Sequence, residues 1–254
     1  MSRGARTLSD AVPVRHAPAR RSSSVPLPAA FYDRETETVA RELLGALLEC
    51  TVRGVRCRGR IVETEAYIGE HDPACHASVG RTARTAGLYG PPGSAYVYLI
   101  YGMYWCANAV TRAEGMASAV LLRAVEPLER LDAMRRRRPA SRSEHDLTNG
   151  PSKLCAAFGI SGPAHHGSSL VTGPLRILSG EPVDDRDVSV TPRIGLNPRN
   201  PALEWPLRWI VRDSPWVSAK RETRAFLRGR RGPAIARSAV RAPYHFFSID
   251  VPKL

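Results

Sequence analysis

The chain has 254 residues, 43% of them hydrophobic, and a formal net charge of +13 at pH 7. That length supports one or two domains with a sizeable core, and no run of about 18 uncharged apolar residues is present to span a membrane. Five cysteines, odd in number and without a CxxC pair, argue against a zinc ribbon, an iron–sulfur cluster and a disulfide scaffold, and leave free thiols in a reducing compartment as the default.

The first 30 residues read as a disordered tail rich in Arg, Ala, Pro and Ser, with a basic transit peptide as the alternative. They lack the apolar stretch of a secretory signal. This tail carries five Arg and one Asp, and residues 219–254 carry nine Lys or Arg and two acids. The charge therefore sits at the two ends, around a nearly neutral body at 31–218. A basic protein suggests a polyanionic partner; solubility, or an Arg-rich genomic composition, accounts for the charge equally well.

Asp33 to Cys50 reads as an amphipathic helix. Asp33 can cap it, Glu35 and Glu37 suit its positive end, and Val39, Leu43, Leu44, Leu47 and Leu48 fall at helical spacing. GRIVETEAY (59–67) reads as a strand, followed by a Gly/Arg/Pro-rich loop from Gly69 to Gly93. AYVYLIY and YWCANAVT read as two strands joined at Gly102. ASAVLLRAVEP (117–127) is another strand, and LERLDAMRRRR (128–138) a short basic helix whose Arg135–Arg138 run suits solvent or phosphates. GPSKLCAAFGI (150–160) is a helix with Pro151 in its first turn and Asn149 as its cap. LRILSG, VSVTPRIGL and LRWIVRDS are further strands, and the chain from 219 is an extension of uncertain order. Many strands with few intervening helices predict an α+β fold, a single domain with a largely antiparallel sheet.

Two constellations carry chemistry. YVYLIYGMYWCAN (96–108) holds five of the chain's 17 aromatic residues. Alternation puts Tyr96 and Tyr98 on one face, and Gly102 allows a tight turn that lets Tyr101 project from a hairpin tip. The rings fit either an aromatic-rich core or a surface that stacks on planar ligands such as nucleobases. The second constellation is Glu63, Glu65 and Tyr67 on one strand face, followed by Asp72 and His76. A carboxylate, a phenol and an imidazole in one pocket suit general-base chemistry toward water; a solvated strand face is the alternative.

Together, VETEAYIGEHDPACH, GPPGSAYVYLIYGMYWCANAV, AVLLRAVEP, GPSKLC and LRWIVRDSPWVS resemble, in order and over residues 31–218, the alkyladenine (3-methyladenine) DNA glycosylases. The resemblance implies a curved antiparallel sheet with surrounding helices, a fold shared with the C-terminal domain of formyltransferases. It implies a monofunctional base-excision enzyme that flips alkylated or deaminated purines from double-stranded DNA and hydrolyses the N-glycosidic bond without a cofactor, a metal or lyase activity. Glu65 matches the general base and Arg123 the arginine that helps hold the water. Tyr67 and His76 match the rings that sandwich the base, and Tyr98 the ring closing the pocket. Asn108 matches the asparagine that rejects guanine, and Tyr101 the residue inserted into the duplex. Lys153 is not used by the family as a Schiff-base nucleophile. The usual T-x-R-N reads TART, with Thr85 in place of asparagine, and Leu88-Tyr89 stands where Met-Phe is frequent, which bears on duplex handling. A monomer is expected, acting in the cytoplasm at the nucleoid of a bacterium or in the nucleus of a eukaryote. A non-catalytic nucleic-acid-binding domain of the same fold is the competing reading, and Glu65 together with Arg123 speaks against it. A hydrolase of free nucleosides is a third, and Tyr101 at a hairpin tip speaks against that.

Overall fold

The computed structural model describes residues 24–218 and Thr223. The remainder of the expected tail and of the C-terminal extension lies outside the described residues. Residues 24–30, grouped with the tail on composition, run along the fold: Leu27 N–H donates to Ile177 O at 2.9 Å and Pro26 bridges to Leu178.

The predicted helix over 33–50 is two elements instead, a short helix and a strand, with a separate helical turn just before it. Helix α1 (Ala29–Tyr32) ends at Asp33, and α2 (Thr36–Glu42) starts after Glu35 without a side-chain cap from Asp33 or Glu35. Leu47–Val52 is then strand β1. Gly45 breaks the helix. Its φ is +89°, and a Cβ there would collide with the backbone oxygen of Glu181. The leucines fit both periods: Leu43 and Leu44 are buried from the helix end, and Leu48 from the strand.

Arg53 and Gly54, with φ of 49° and 74°, turn the chain into β2 (Val55–Tyr67), a 13-residue strand longer than the sequence pattern indicated. Two positive φ values are what a two-residue hairpin turn needs. Next come β3 (Ala95–Ile100), β4 (Tyr104–Val110), β5 (Ala119–Glu129), β6 (Leu175–Leu178), β7 (Val188–Thr191) and β8 (Arg208–Val211). Among the described residues these eight strands form one antiparallel sheet in the order β3-β4-β5-β2-β1-β6, with β8 pairing to β2 and β7. The fold is thus a single α+β domain, as the strand-rich pattern predicted. Strand β2 is its spine: β5 lies along one edge, and β1 followed by β8 along the other.

Alternation sends side chains to two different covers. One face packs Val97, Ala107, Ala109, Val120 and Leu122 into the main core with α2, α4 (Pro151–Phe158) and the short α5 (Gly162–His165). The other face packs Tyr96, Val110 and Ala119 beneath the loop at 69–93, through Cys75, Ala77, Leu88 and Tyr89. Helix α3 (Leu131–Arg137) follows β5. Helix α4 does start with Pro151, but its cap is Gly150; Asn149 Oδ1 instead accepts from Lys153 Nζ at 2.9 Å. Among the described residues no helix is long and apolar enough to cross a membrane.

Candidate active site

Because β2 alternates, Glu63, Glu65 and Tyr67 leave it on one face, and β5 brings Arg123 alongside. Arg123 Nε donates to Glu63 Oε1 at 2.8 Å and Nη1 to Glu65 Oε2 at 3.0 Å. Tyr67 O–H donates to the same Glu65 Oε2 at 3.0 Å, and the Ile194 N–H donates to Oε1 at 2.8 Å. An ionised carboxylate has about four lone-pair sites. Among the described residues three are taken on Glu65, which leaves room for one further donor, such as a water.

Glu63 is the fully bonded neighbour. Besides Arg123 it accepts from Arg208 Nε at 2.8 Å, and from Ser218 N–H at 2.6 Å and Ser218 O–H at 2.7 Å. Burial pushes its carboxyl up, but Arg123 and then Arg208 outweigh that and hold it below the ordinary range. Arg123 is likewise held above its ordinary value: burial opposes its charge, and Glu65 and then Glu63 overcome the opposition. Burial, followed by the Glu65 charge, raises the Tyr67 phenol well above its usual value, so Tyr67 stays a donor at neutral pH. Two carboxylates and two guanidiniums form a closed, charge-balanced set, which is how buried charge is tolerated.

A cavity of about 330 Å³ opens above this floor, lined by Tyr67, His76, Tyr98, Asn108, Tyr101 and Arg123 among others. Every site residue expected from the sequence except Glu65 lines it; Glu65 lies behind Tyr67, Arg123 and Ile194, the three groups that hold it. The volume falls at the low end of small-ligand pockets, roughly 300–1,000 Å³. The His76 and Tyr98 rings meet edge-on, with centroids 4.5 Å apart and planes at 72°, so Tyr98 forms a side wall relative to the His76 ring. Asn108 Nδ2 donates to Tyr96 O at 2.9 Å, which fixes the amide in the wall. Burial, and secondarily Arg84, lowers the His76 imidazole from its ordinary value and favours the neutral ring.

The opening between Tyr67 and His76 is braced by a pair that the sequence did not announce. Arg193 Nη1 and Nη2 donate to Asp72 Oδ2 and Oδ1 at 2.5 and 2.8 Å, both side chains being wholly buried. Nη1 also donates to Ala66 O at 2.9 Å, and the guanidinium carbon lies 4.7 Å from the Tyr67 ring centroid. Asp72 in turn accepts from Ala74 N–H at 2.9 Å, two residues before His76. Asp72 is therefore a brace for the loop and does not line the cavity.

The five rings of the 96–108 stretch divide between both readings. Tyr96 is buried, with its O–H 3.0 Å from His76 Nδ1, and steadies the imidazole. Tyr98 lines the cavity, Trp105 packs against the main core, and Tyr101 and Tyr104 are exposed. Tyr101 is 79% exposed at the tip, with φ of 53°. The departures from the family pattern point inward. Thr85 Oγ1 donates to Gly80 O at 2.9 Å, Leu88 is buried, and Tyr89 O–H donates to Glu70 Oε1 at 2.6 Å. The Arg135–Arg138 run is not one solvated face: Arg135 pairs with Glu144 and Arg136 with Asp132, while Arg137 and Arg138 donate to the carbonyls of Ala157 and Leu147. Arg208 and Ser218 stand in the LRWIVRDSPWVS block, but nothing local marks their roles; the pairing of β8 with β2 is what brings Arg208 to Glu63.

A small slot with aromatic walls, set on one face of an antiparallel sheet over an arginine-held carboxylate, marks an α+β protein with an aromatic-lined cavity. Comparison narrows that class: the family model for methylpurine-DNA glycosylase (MPG) matches residues 30–215, and the chain belongs to this family. Among its relatives, a protein of Myxococcus xanthus is 51% identical over 192 residues, covering 76% of this chain and 93% of the relative. One of Methanocella arvoryzae is 45% identical over 194 residues (76% and 96%), and one of Salinibacter ruber 49% over 205 residues (76% and 96%). All three carry the name "Putative 3-methyladenine DNA glycosylase".

Proposed function

We propose that the protein is a monofunctional DNA glycosylase of base excision repair, which takes alkylated or deaminated purines out of duplex DNA and hydrolyses the N-glycosidic bond with water activated by Glu65. The observation that carries this reading is the single acceptor site left on a buried, arginine-held carboxylate behind a ring-lined slot.

The target nucleotide leaves the stack, since its glycosidic bond is unreachable inside a duplex. Its base enters between Tyr67 and His76, with Tyr98 at the side, and Tyr101 fills the space left behind. Stacking is worth about 1–3 kcal/mol per base, comparable to the few kcal/mol that flipping costs. Purines alkylated at N3 or N7 carry a positive charge, which the electron-rich ring faces attract. They also depart without prior protonation. The C1′–N bond breaks with its electron pair going to the base, and an oxocarbenium-like sugar forms. Water bonds to C1′ while Glu65 accepts its proton, leaving a free base and an abasic site. Arg123 holds the Glu65 carboxylate in place through its Nη1 bond. Asn108 disfavours the exocyclic amine of guanine.

Lys153 supports the absence of strand cleavage. It does not line the cavity, and its Nζ is bonded to Asp146 Oδ1 at 2.5 Å and to Asn149 Oδ1 at 2.9 Å. The test is incubation with duplexes containing hypoxanthine, ethenoadenine or a methylated purine, followed by scoring of alkali-labile sites. Abasic sites on at least one lesion, with no cleavage before alkali, are expected. Lesion binding without any excision would leave a binding domain in place of the enzyme.

A further inference from the structure

Each nitrogen of Arg123 has its own partner. Nε donates to Glu63, Nη1 to Glu65, and Nη2 to Ser218 Oγ at 3.2 Å. Two of these partners come from β2, so they restrain the guanidinium from one side. Ser218 comes from another part of the chain and closes the third side. It is almost fully buried, and its own N–H and O–H both go to Glu63. It is the last residue of the LRWIVRDSPWVS block, three positions past the end of the family-model match at 215 and just before the basic extension. The next described residue, Thr223, accepts from Arg208 Nη2 at 3.0 Å, and Arg208 Nη2 also reaches Ser218 O at 3.3 Å. Ser218 and Thr223 are thus bonded to two of the buried arginines, Arg123 and Arg208.

We propose that Ser218 is a positioning residue for catalysis: it locks the plane of Arg123, and through Arg123 the carboxylate of Glu65, by supplying the hydrogen bond to the guanidinium that, among the described residues, comes from outside β2. The inference rests on the reading of Glu65 as the base that activates water. A guanidinium held at Nε and Nη1 alone can still swing about the line joining them. The bond at Nη2 removes that freedom. Without the Ser218 hydroxyl, Glu63 also loses one of its donors, and Arg123 is drawn toward it and away from Glu65. Small misplacements of this kind are costly in rate and nearly silent in affinity, since Arg123 forms only one patch of the slot wall.

The test uses the full chain carrying Ser218→Ala, Ser218→Thr or Glu65→Gln. Single-turnover excision is measured on an ethenoadenine duplex. Affinity is measured on the same duplex carrying a 2′-fluoro sugar, which resists hydrolysis because fluorine destabilises the oxocarbenium ion. Ser218→Ala is expected to lower the rate by about 10- to 100-fold, with affinity and melting temperature close to wild type. Ser218→Thr, which retains the hydroxyl, should recover most of the rate. If Ser218→Ala does not fold, Ser218→Cys, of similar shape and weaker hydrogen bonding, is judged by the same criteria. A wild-type rate in Ser218→Ala while Glu65→Gln is inactive overturns the role of Ser218 alone. A rate loss matched by equal losses of affinity and stability also overturns it, by making Ser218 a general structural residue. A wild-type rate in Glu65→Gln removes the mechanism on which the inference stands.

Discussion

The floor of the site and the tip of its hairpin are built on opposite plans. On the floor, Glu63 and Glu65 are wholly buried, Arg123 and Arg208 nearly so, and each takes part in several hydrogen bonds. At the tip, Tyr101 is 79% and Met103 66% exposed, and a Cβ on Gly102 would meet nothing within 4 Å. The floor handles charge, and charge in a low-dielectric interior is tolerable only when every partner is already in place. The tip offers an uncharged ring to a partner that comes from outside, and it needs only to be presented there. On the proposed function, chemistry falls to the buried half and DNA engagement to the exposed half, so substitutions in the two should fail differently.

The sharpest break comes at the floor. Glu65→Gln keeps the shape but cannot accept a proton from water, so single-turnover excision should fall by about 10²–10⁴-fold while lesion binding persists. Excision within a few-fold of wild type would remove Glu65 from the chemistry. Next in size is the brace beneath the slot. Arg193→Met strands the buried Asp72 carboxylate, and breaking such a pair costs about 3–5 kcal/mol. Denaturant unfolding measures it; a loss below about 1 kcal/mol, the range of surface pairs, would mean that the pair does not brace the fold.

At the tip the signature inverts. Tyr101→Ala should leave stability unchanged and weaken capture of the flipped state by roughly 5- to 150-fold, the equivalent of one stacked ring at about 1–3 kcal/mol. The defect should appear on duplexes and shrink on single strands, where there is no gap to fill; equal defects on both would make the ring a part of the pocket instead. His76 stands between the two plans. Burial first, and then Arg84, hold its imidazole below the ordinary 6.5. The fold therefore favours the neutral ring, and the associated stability is present above that ordinary value and lost as pH falls through and below it. His76→Phe should flatten this acid limb in melting experiments, and an unchanged limb would assign it to other groups. The smallest effect is expected from deleting residues 1–23, which hold all the charges of the N-terminal tail. Excision at saturating enzyme should not change, and the slope of log affinity against log salt should flatten by up to about 0.9 per lost phosphate contact. An unchanged slope would show that these charges do not meet DNA.

How legible each half was in the sequence follows the same division. The hairpin could be read locally, because alternation and one glycine determine it; β3 and β4 fall where the pattern placed them. The faces of Glu63, Glu65 and Tyr67 were legible for the same reason. The helix-to-strand change near Gly45 was not, since leucines at 43, 44, 47 and 48 satisfy both periods and the deciding contact, with Glu181, is remote. Arg193, Arg208 and Ser218 stayed hidden because an arginine or serine in a short terminal strand or loop has no local signature. Their roles exist only once β7 and β8 have folded against β2. Asp72 was grouped with the pocket residues in the sequence, while its carboxylate faces Arg193, 121 positions away.

The bonds from Ser218 to Glu63 span 155 positions, and those from Arg123 to Glu65 span 58. During synthesis the strands bearing Glu65 and Arg123 leave the ribosome long before residue 218 does. Until it emerges, the buried carboxylates lack part of their shell, and such long-range closure is the slow step in forming a sheet. A nascent chain tethered to its ribosome, or one released early by a truncating stop codon, would therefore carry the whole aromatic slot and no working floor. On the proposed function, the order of the strands along the chain delays hydrolytic competence until residue 218 is in place.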